Sequence, residues 1–164
     1  MISHDMEDGR FNLRSVAVIL RHNAVLIHRA EKDDFWALPG GRVDPFETTA
    51  HTLEREMEEE IGCTIHVKRL LWIVENFFSY ENTPFHEIAF YHLATLSEPV
   101  PRLPQAPKLE QPTFDGWESG DVRLIFEWAP LDSLDRLPLY PSFLRAGLQC
   151  LPQATQHISV FSLT

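Results

Sequence analysis

Cysteine is scarce in this chain: two residues, Cys63 and Cys150, lie far apart and neither belongs to a CxxC pair. A disulfide framework and a structural zinc site are both unsupported, and two reduced thiols are expected. Positive charge is equally short, with 14 Lys and Arg against 24 Asp and Glu for a net charge of −10. That balance argues against a general nucleic-acid or anionic-membrane surface, and a phosphate-bearing ligand would need a cation as mediator. Long apolar runs are missing too. Ser15–Leu20, Leu70–Val74 and Ile88–Leu96 are uncharged but fall short of the roughly 18 residues that cross a bilayer. The opening MISHDMEDGR is polar and acidic, unlike a secretory or transit peptide. A cytoplasmic protein with no membrane partner and no nucleic-acid partner is expected. Neither a GxxxxGK[ST] loop nor the Rossmann glycine spacing occurs.

What is present fits one domain over 1–164, since 164 residues with 44% hydrophobic content can bury a core without cross-links. Ser15–Leu20 and Ala24–His28 are β-branched runs separated by Arg21-His22-Asn23, which reads as a hairpin. Pro39-Gly40-Gly41 marks a sharp turn that allows close backbone approach. Asp44-Pro45-Phe46-Glu47 has the form of a helix start, and Phe46, Ala50, Leu53 and Met57 recur at helical period up to Gly62, the expected left-handed stop. Thr64–Val74 and Phe85–Leu96 should be longer strands paired across Ser79–Pro84, and Val122–Trp128 a further strand. Five prolines within about 97–120 predict a long loop insertion, and Phe114 and Trp117 give it the means to cover a ligand. Pro141–Leu151 is expected to form a C-terminal helix. The sum is an α+β domain, an α/β/α sandwich with a mixed β-sheet.

The unusual stretch is Glu54–Glu60, Glu-Arg-Glu-Met-Glu-Glu-Glu, at the C-terminal end of the expected helix. Like charges one turn apart repel, and anions there oppose the helix dipole, so stability alone favours a different sequence. With 3.6 residues per turn, Glu56, Glu59 and Glu60 share a stripe while Leu53 and Met57 address the core. A solvated acidic face is the plain explanation of any glutamate run. Beside the Pro39-Gly40-Gly41 turn, the same carboxylates are hard oxygen ligands of the kind that suit Mg²⁺ or Mn²⁺, and such an ion would let an acidic surface accept a polyphosphate.

The segment Gly41–Cys63, GRVDPFETTAHTLEREMEEEIGC, resembles the signature of the Nudix hydrolase superfamily, of which MutT-like proteins are members. Gly41, Glu47, Arg55, Glu56, Met57, Glu59, Glu60 and Gly62 fall on the pattern; Cys63 stands where a branched aliphatic is usual, a change that touches packing alone. The resemblance implies Mg²⁺-dependent hydrolysis of a pyrophosphate bond in a nucleoside diphosphate linked to X: a nucleoside triphosphate, an oxidised nucleotide or a nucleotide sugar. It implies a small-molecule nucleotide as partner, metal held by Gly41, Glu56, Glu59 and Glu60, and catalysis by Glu56, Glu59 and Arg55. It further implies support of the site from Glu47 and Gly62, Mn²⁺ as an alternative ion, and admits a homodimer. Members differ over which glutamate takes the proton of water, so Glu56, Glu59 and a residue outside the motif all stay open. Glu75, Glu87 and Glu127 are candidates for an additional carboxylate, the first two because they interrupt apolar strands. Phe77, Phe78, Tyr80, Phe85, Trp117 and Trp128 offer stacking surfaces, and His86 beside Glu87 stands out among the histidines. The proline that marks the ADP-ribose subgroup is replaced by Phe77-Phe78, and the NADH-type array is missing. Two other readings remain: a nucleotide-binding or sensing module without hydrolysis, and an isoprenyl-diphosphate isomerase, which would need a cysteine in the pocket where Cys63 should face the core.

Overall fold

A computed structural model describes residues 1–97, 113–118 and 122–162. Strand β1 (Ser3–Met6) folds back on β2 (Gly9–Arg21), which leads through His22-Asn23 into β3 (Ala24–Ala30). Both turn residues are left-handed, with φ of 48° and 59°, the geometry a two-residue hairpin turn needs. The expected hairpin is therefore present and longer at both arms. Its arms pair only at Leu20–Val25 and Arg21–Ala24, because the chain from Ala37 to Arg42 is wedged between them. Ala17 N–H donates to Pro39 O at 2.8 Å, His28 N–H donates to Ala37 O at 2.8 Å, and β4 (Gly40–Arg42) pairs antiparallel with Arg14–Val16.

Helix α1 (Thr49–Ile61) follows, then the hairpin of β5 (Ile65–Tyr80) and β6 (Thr83–Leu96), turned by left-handed Glu81 and Asn82. Strand β6 runs parallel to β2 from Arg10–Phe85 to Ile19–Ala94. Strand β7 (Thr113–Glu118) pairs with β8 (Val122–Pro130), which pairs with β3. After a 3-10 turn (Leu131–Arg136) and the short α2 (Leu144–Gly147), β9 (Gln156–Ser162) adds parallel to β5. The order is β7-β8-β3-β2-β6-β5-β9, with β1 and β4 on β2.

The wedge opens the sheet into two wings, and α1 lies between them. Leu53, Met57 and Ile61 pack with Ala17 and Ile19 of β2, Leu26 of β3, and Leu124, Phe126 and Trp128 of β8. The opposite face, with Val16, Val18, Trp72, Val74 and Tyr91, is covered by Leu134, Leu139, Leu144 and Leu148. Helical segments on both sides of a mixed sheet make the expected sandwich. Among the described residues no helix is long and apolar enough to cross a membrane.

Three expectations need correction. Helix α1 begins later than Asp44: its N-cap is Thr48, whose Oγ1 accepts from His51 N–H at 3.2 Å. Asp44–Glu47 is a turn ahead of it, since Phe46 has φ of 68°, which no helix accommodates, and projects into solvent. The C-terminal segment gives only one helical turn, because Leu144 and Leu148 are its buried anchors and Gly147 must lie against the Trp72 indole. The chain then extends as β9. In the proline-rich segment, 113–118 is strand; residues 98–112 and 119–121 and the side chains of Phe114 and Trp117 lie outside the described residues.

Two glycines hold the frame for different reasons. A Cβ on Gly40 (φ 150°) would stand 2.1 Å from Ser15 O, inside the wedge; on Gly62 (φ 65°), which closes α1, it would meet nothing within 4 Å. Gly62→Ala is therefore expected to cost only the left-handed penalty of about 1–2 kcal/mol. Gly40→Ala should cost about 3 kcal/mol or more, adding the backbone clash. Urea unfolding midpoints read both; equal losses would show that the wedge is not tight.

Candidate active site on helix α1

Arg55 organises the acidic residues. Its Nε donates to Glu47 Oε1 and its Nη2 to Glu47 Oε2, both at 3.0 Å, a two-point grip that only a planar guanidinium offers. Nη1 turns to the helix and donates to Glu56 Oε1 at 2.8 Å and Glu59 Oε2 at 3.3 Å, while Nη2 also reaches Arg42 O at 3.5 Å. One side chain thus ties the β4 strand, the Asp44–Glu47 turn and α1 together. Glu47 further accepts from Thr52 Oγ1 at 2.8 Å and from Asp44 N–H at 3.1 Å. Hydrogen bonding from Arg55 dominates its titration and lowers the carboxyl to about 2. Glu47 therefore braces the turn instead of capping the helix.

Glu56 is mostly buried, at 16% side-chain exposure, and Glu59 is exposed at 58%. Burial pushes the Glu56 carboxyl above its ordinary range, with Arg55 opposing. Gly41 makes its position available: a Cβ there would stand 2.0 Å from Glu56 Cδ, so the carboxylate occupies the space a side chain would fill. Glu60, one turn beyond Glu56, is buried. Cys63 is buried beside Met57 and Ile61, as expected for a packing residue. Among the described residues, no three carboxylate, imidazole or thiol side chains stand together as a ready cation cage. Glu56 and Glu59, joined through one guanidinium nitrogen beside Gly41, still fit Mg²⁺, which takes few protein oxygens and completes its shell with water and phosphate.

The remaining candidates separate by face. Strand alternation sends Glu87 to the face away from α1, in register with Asn12 and Asn76, where it is buried. Glu75 lies in the adjacent row on the other face, 3.2 Å from His157 Nε2 on β9, and belongs to that edge. Glu127 lies on β8 opposite Ile27, between Phe126 and Trp128, which pack with α1, and so faces away from that helix. His86 is not a partner of Glu87: the two point to opposite faces, and His86 stacks on Phe77 at 4.5 Å. Trp128 is core. Phe78 and Phe85 stack at 5.1 Å on the face of Glu87, while Phe77 stacks on Phe161 on the other. One residue escaped the sequence reading: Arg14, whose Nη2 donates to Gly40 O at 2.9 Å. A cation immediately before the apolar run Ser15–Leu20 was the available signal.

The NUDIX domain family matches residues 11–146, from the first long strand to α2. The chain belongs to the Nudix family. Over 131 residues it is 25% identical to a protein of Bacillus subtilis named putative ADP-ribose pyrophosphatase, a match covering 66% of this chain and 63% of that one. Over 67 residues it is 31% identical to an 8-oxo-dGTP diphosphatase of Buchnera aphidicola, covering 38% and 52%. The match thus spans less than two thirds of either relative. An ADP-ribose pyrophosphatase from Streptococcus suis has the same fold, with a TM-score of 0.57 at 16% identity, covering 90% of this chain and 98% of that one. Nudix hydrolases as a family use divalent metal ions and act on nucleotide derivatives.

Because the Glu47 carboxyl is lowered from an ordinary 4.5 to about 2 by Arg55, its stabilising contribution is complete above pH 4.5 and lost as pH falls toward 2. The urea midpoint of the wild type should therefore drop more steeply over that window than that of Glu47→Gln. Parallel curves would mean that the grip of Arg55 adds nothing to the fold.

Proposed function

We propose that this chain is a pyrophosphohydrolase dependent on Mg²⁺, with Mn²⁺ as a substitute, cleaving the diphosphate of a nucleoside diphosphate joined to a second group. The observation that carries this is the pairing of Glu56 and Glu59 on one nitrogen of Arg55, with Glu56 seated in the space left by Gly41. Glu56, Glu59, Glu60 and the carbonyl of Gly41 would hold the ion, which when bound neutralises the diphosphate and orients water. Arg55 keeps the two motif carboxylates from separating and fixes their distance from the β4 turn. A carboxylate of this cluster takes the proton of the attacking water as its oxygen bonds to phosphorus. The P–O bond to the bridging oxygen breaks in line, and its electrons leave on the departing phosphate. Nucleoside triphosphates, oxidised nucleotides and nucleotide sugars are the substrate classes, a range in keeping with the names of the relatives.

Glu59 is exposed, so its replacement should leave the fold alone. Glu59→Gln is expected to lower kcat/KM about 10²–10⁴-fold toward a panel of nucleotides with Mg²⁺, with an unchanged circular-dichroism melt. Full activity in a Glu56→Gln/Glu59→Gln double variant would refute the assignment. Gly41→Ala offers an independent check, since only the movable Glu56 carboxylate must give way. Its melting temperature should stay within a few degrees of wild type while activity falls at least about 100-fold. Retained activity would show that the seat of Glu56 is irrelevant.

A further inference from the structure

The sheet face turned away from α1 carries a polar row that the chemistry above does not use. Asn12 of β2, Glu87 of β6 and Asn76 of β5 stand side by side in register, and all three are buried, Glu87 at 7% exposure. The row toward the core holds Arg14, Ala89 and Val74, followed by Val16, Tyr91 and Trp72; the row on the outer side holds Arg10, Phe85 and Phe78. A buried carboxylate thus lies between an apolar core and an aromatic pair, where an apolar side chain would be more stable. Asn76 donates to it, and burial pushes its carboxyl above the ordinary range.

The row adjoins the active site through Arg14, which is bonded to Gly40 O, one residue from the glycine that seats Glu56. At its outer end the chain gathers rings and cations. Arg10 lies 6.0 Å from the centre of Phe85, Lys32 5.5 Å from Tyr80 and Arg145 5.7 Å from Tyr140. Phe35 meets both Tyr80 and Tyr140 edge-on at 6.0 Å. Arg10 and Lys32 are paired with Asp5 and Glu81, so what this collection offers a ligand is flat ring surface.

We infer that this row is the specificity pocket for the heterocycle of the nucleoside: Phe78 stacks on the ring, and Glu87, held by Asn76, accepts a hydrogen bond from an exocyclic amino group. The inference rests on the pyrophosphohydrolase reading of the adjoining carboxylates and narrows its substrates. Adenine, guanine and cytosine offer the amino donor. Uracil places carbonyl oxygens on either side of its one N–H, and a carboxylate repels them. A site built around a buried acceptor leaves that acceptor unmatched when the donor is missing, which is the strongest form of selection by a pocket.

The test titrates the full chain, free of metal, with AMP, GMP, CMP and UMP by tryptophan fluorescence, for wild type, Glu87→Gln and Phe78→Leu. Wild type should bind at least one amino-bearing nucleotide about tenfold or more tighter than UMP. Glu87→Gln should reduce that ratio to about threefold or less, and Phe78→Leu should weaken all four alike. In turnover with Mg²⁺ the same ranking should appear in KM. Preference for UMP, or a ranking that Glu87→Gln leaves intact, would overturn the inference. So would an equal loss of kcat with every base at unchanged binding ratios, which places Glu87 in the chemistry. If Glu87→Gln does not fold, equal weakening by Phe78→Leu supports the pocket and unchanged binding overturns it. Selective binding without hydrolysis of any compound supports the pocket while removing the pyrophosphohydrolase reading.

Discussion

One guanidinium holds the acidic end of α1 together. Glu54–Glu60 places like charges a turn apart near a helix C-terminus, an arrangement that repels itself and opposes the helix dipole. Arg55 resolves part of that conflict by gripping Glu47 with two nitrogens and presenting the third to Glu56 and Glu59. A lysine could not do the same, since its single charged nitrogen has no fixed fork. The grip binds a turn outside the helix to the helix itself, and so sets how closely Gly41 approaches Glu56.

The second constraint is the wedge of Ala37–Arg42 between β2 and β3. A hairpin normally pairs along its length; here it pairs only beside its turn, and the backbone groups freed below are satisfied by Pro39, Gly40 and their neighbours. The opening gives α1 an apolar seat on both sides, from β2 and from β8. It also brings the motif loop to the strand edge from which Arg14 reaches Gly40, so chemistry on one face adjoins the Asn12, Glu87 and Asn76 row on the other. The Nudix family membership of the chain fits a helix that bears the acids.

Much of this was legible in the residues because the signals were local. His22-Asn23 announced its turn, Leu53 and Met57 the buried side of α1, and Gly62 its end. Arg55, Glu56 and Glu59 could be placed on one helix by spacing alone. Phe46 misled, because an apolar residue at helical spacing reads as part of the helix while its backbone lies outside the helical region. The C-terminal segment misled for the opposite reason: its local helix signals were outweighed by the packing of Gly147 on Trp72 and the pairing of β9 with β5.

By itself, the sequence determined the helix, its charge pattern and the carboxylates here proposed to hold a cation, all of which depend on neighbours within a turn or two of the chain. Only the tertiary structure decided that Glu87 and Glu75 face opposite ways, that Arg14 meets the motif loop, and that β6 lies parallel to β2. Successive strand residues point to opposite faces, so the role of a carboxylate depends on which distant strand pairs beside it and what covers that face. Those pairings join residues dozens of positions apart, and no local pattern encodes them.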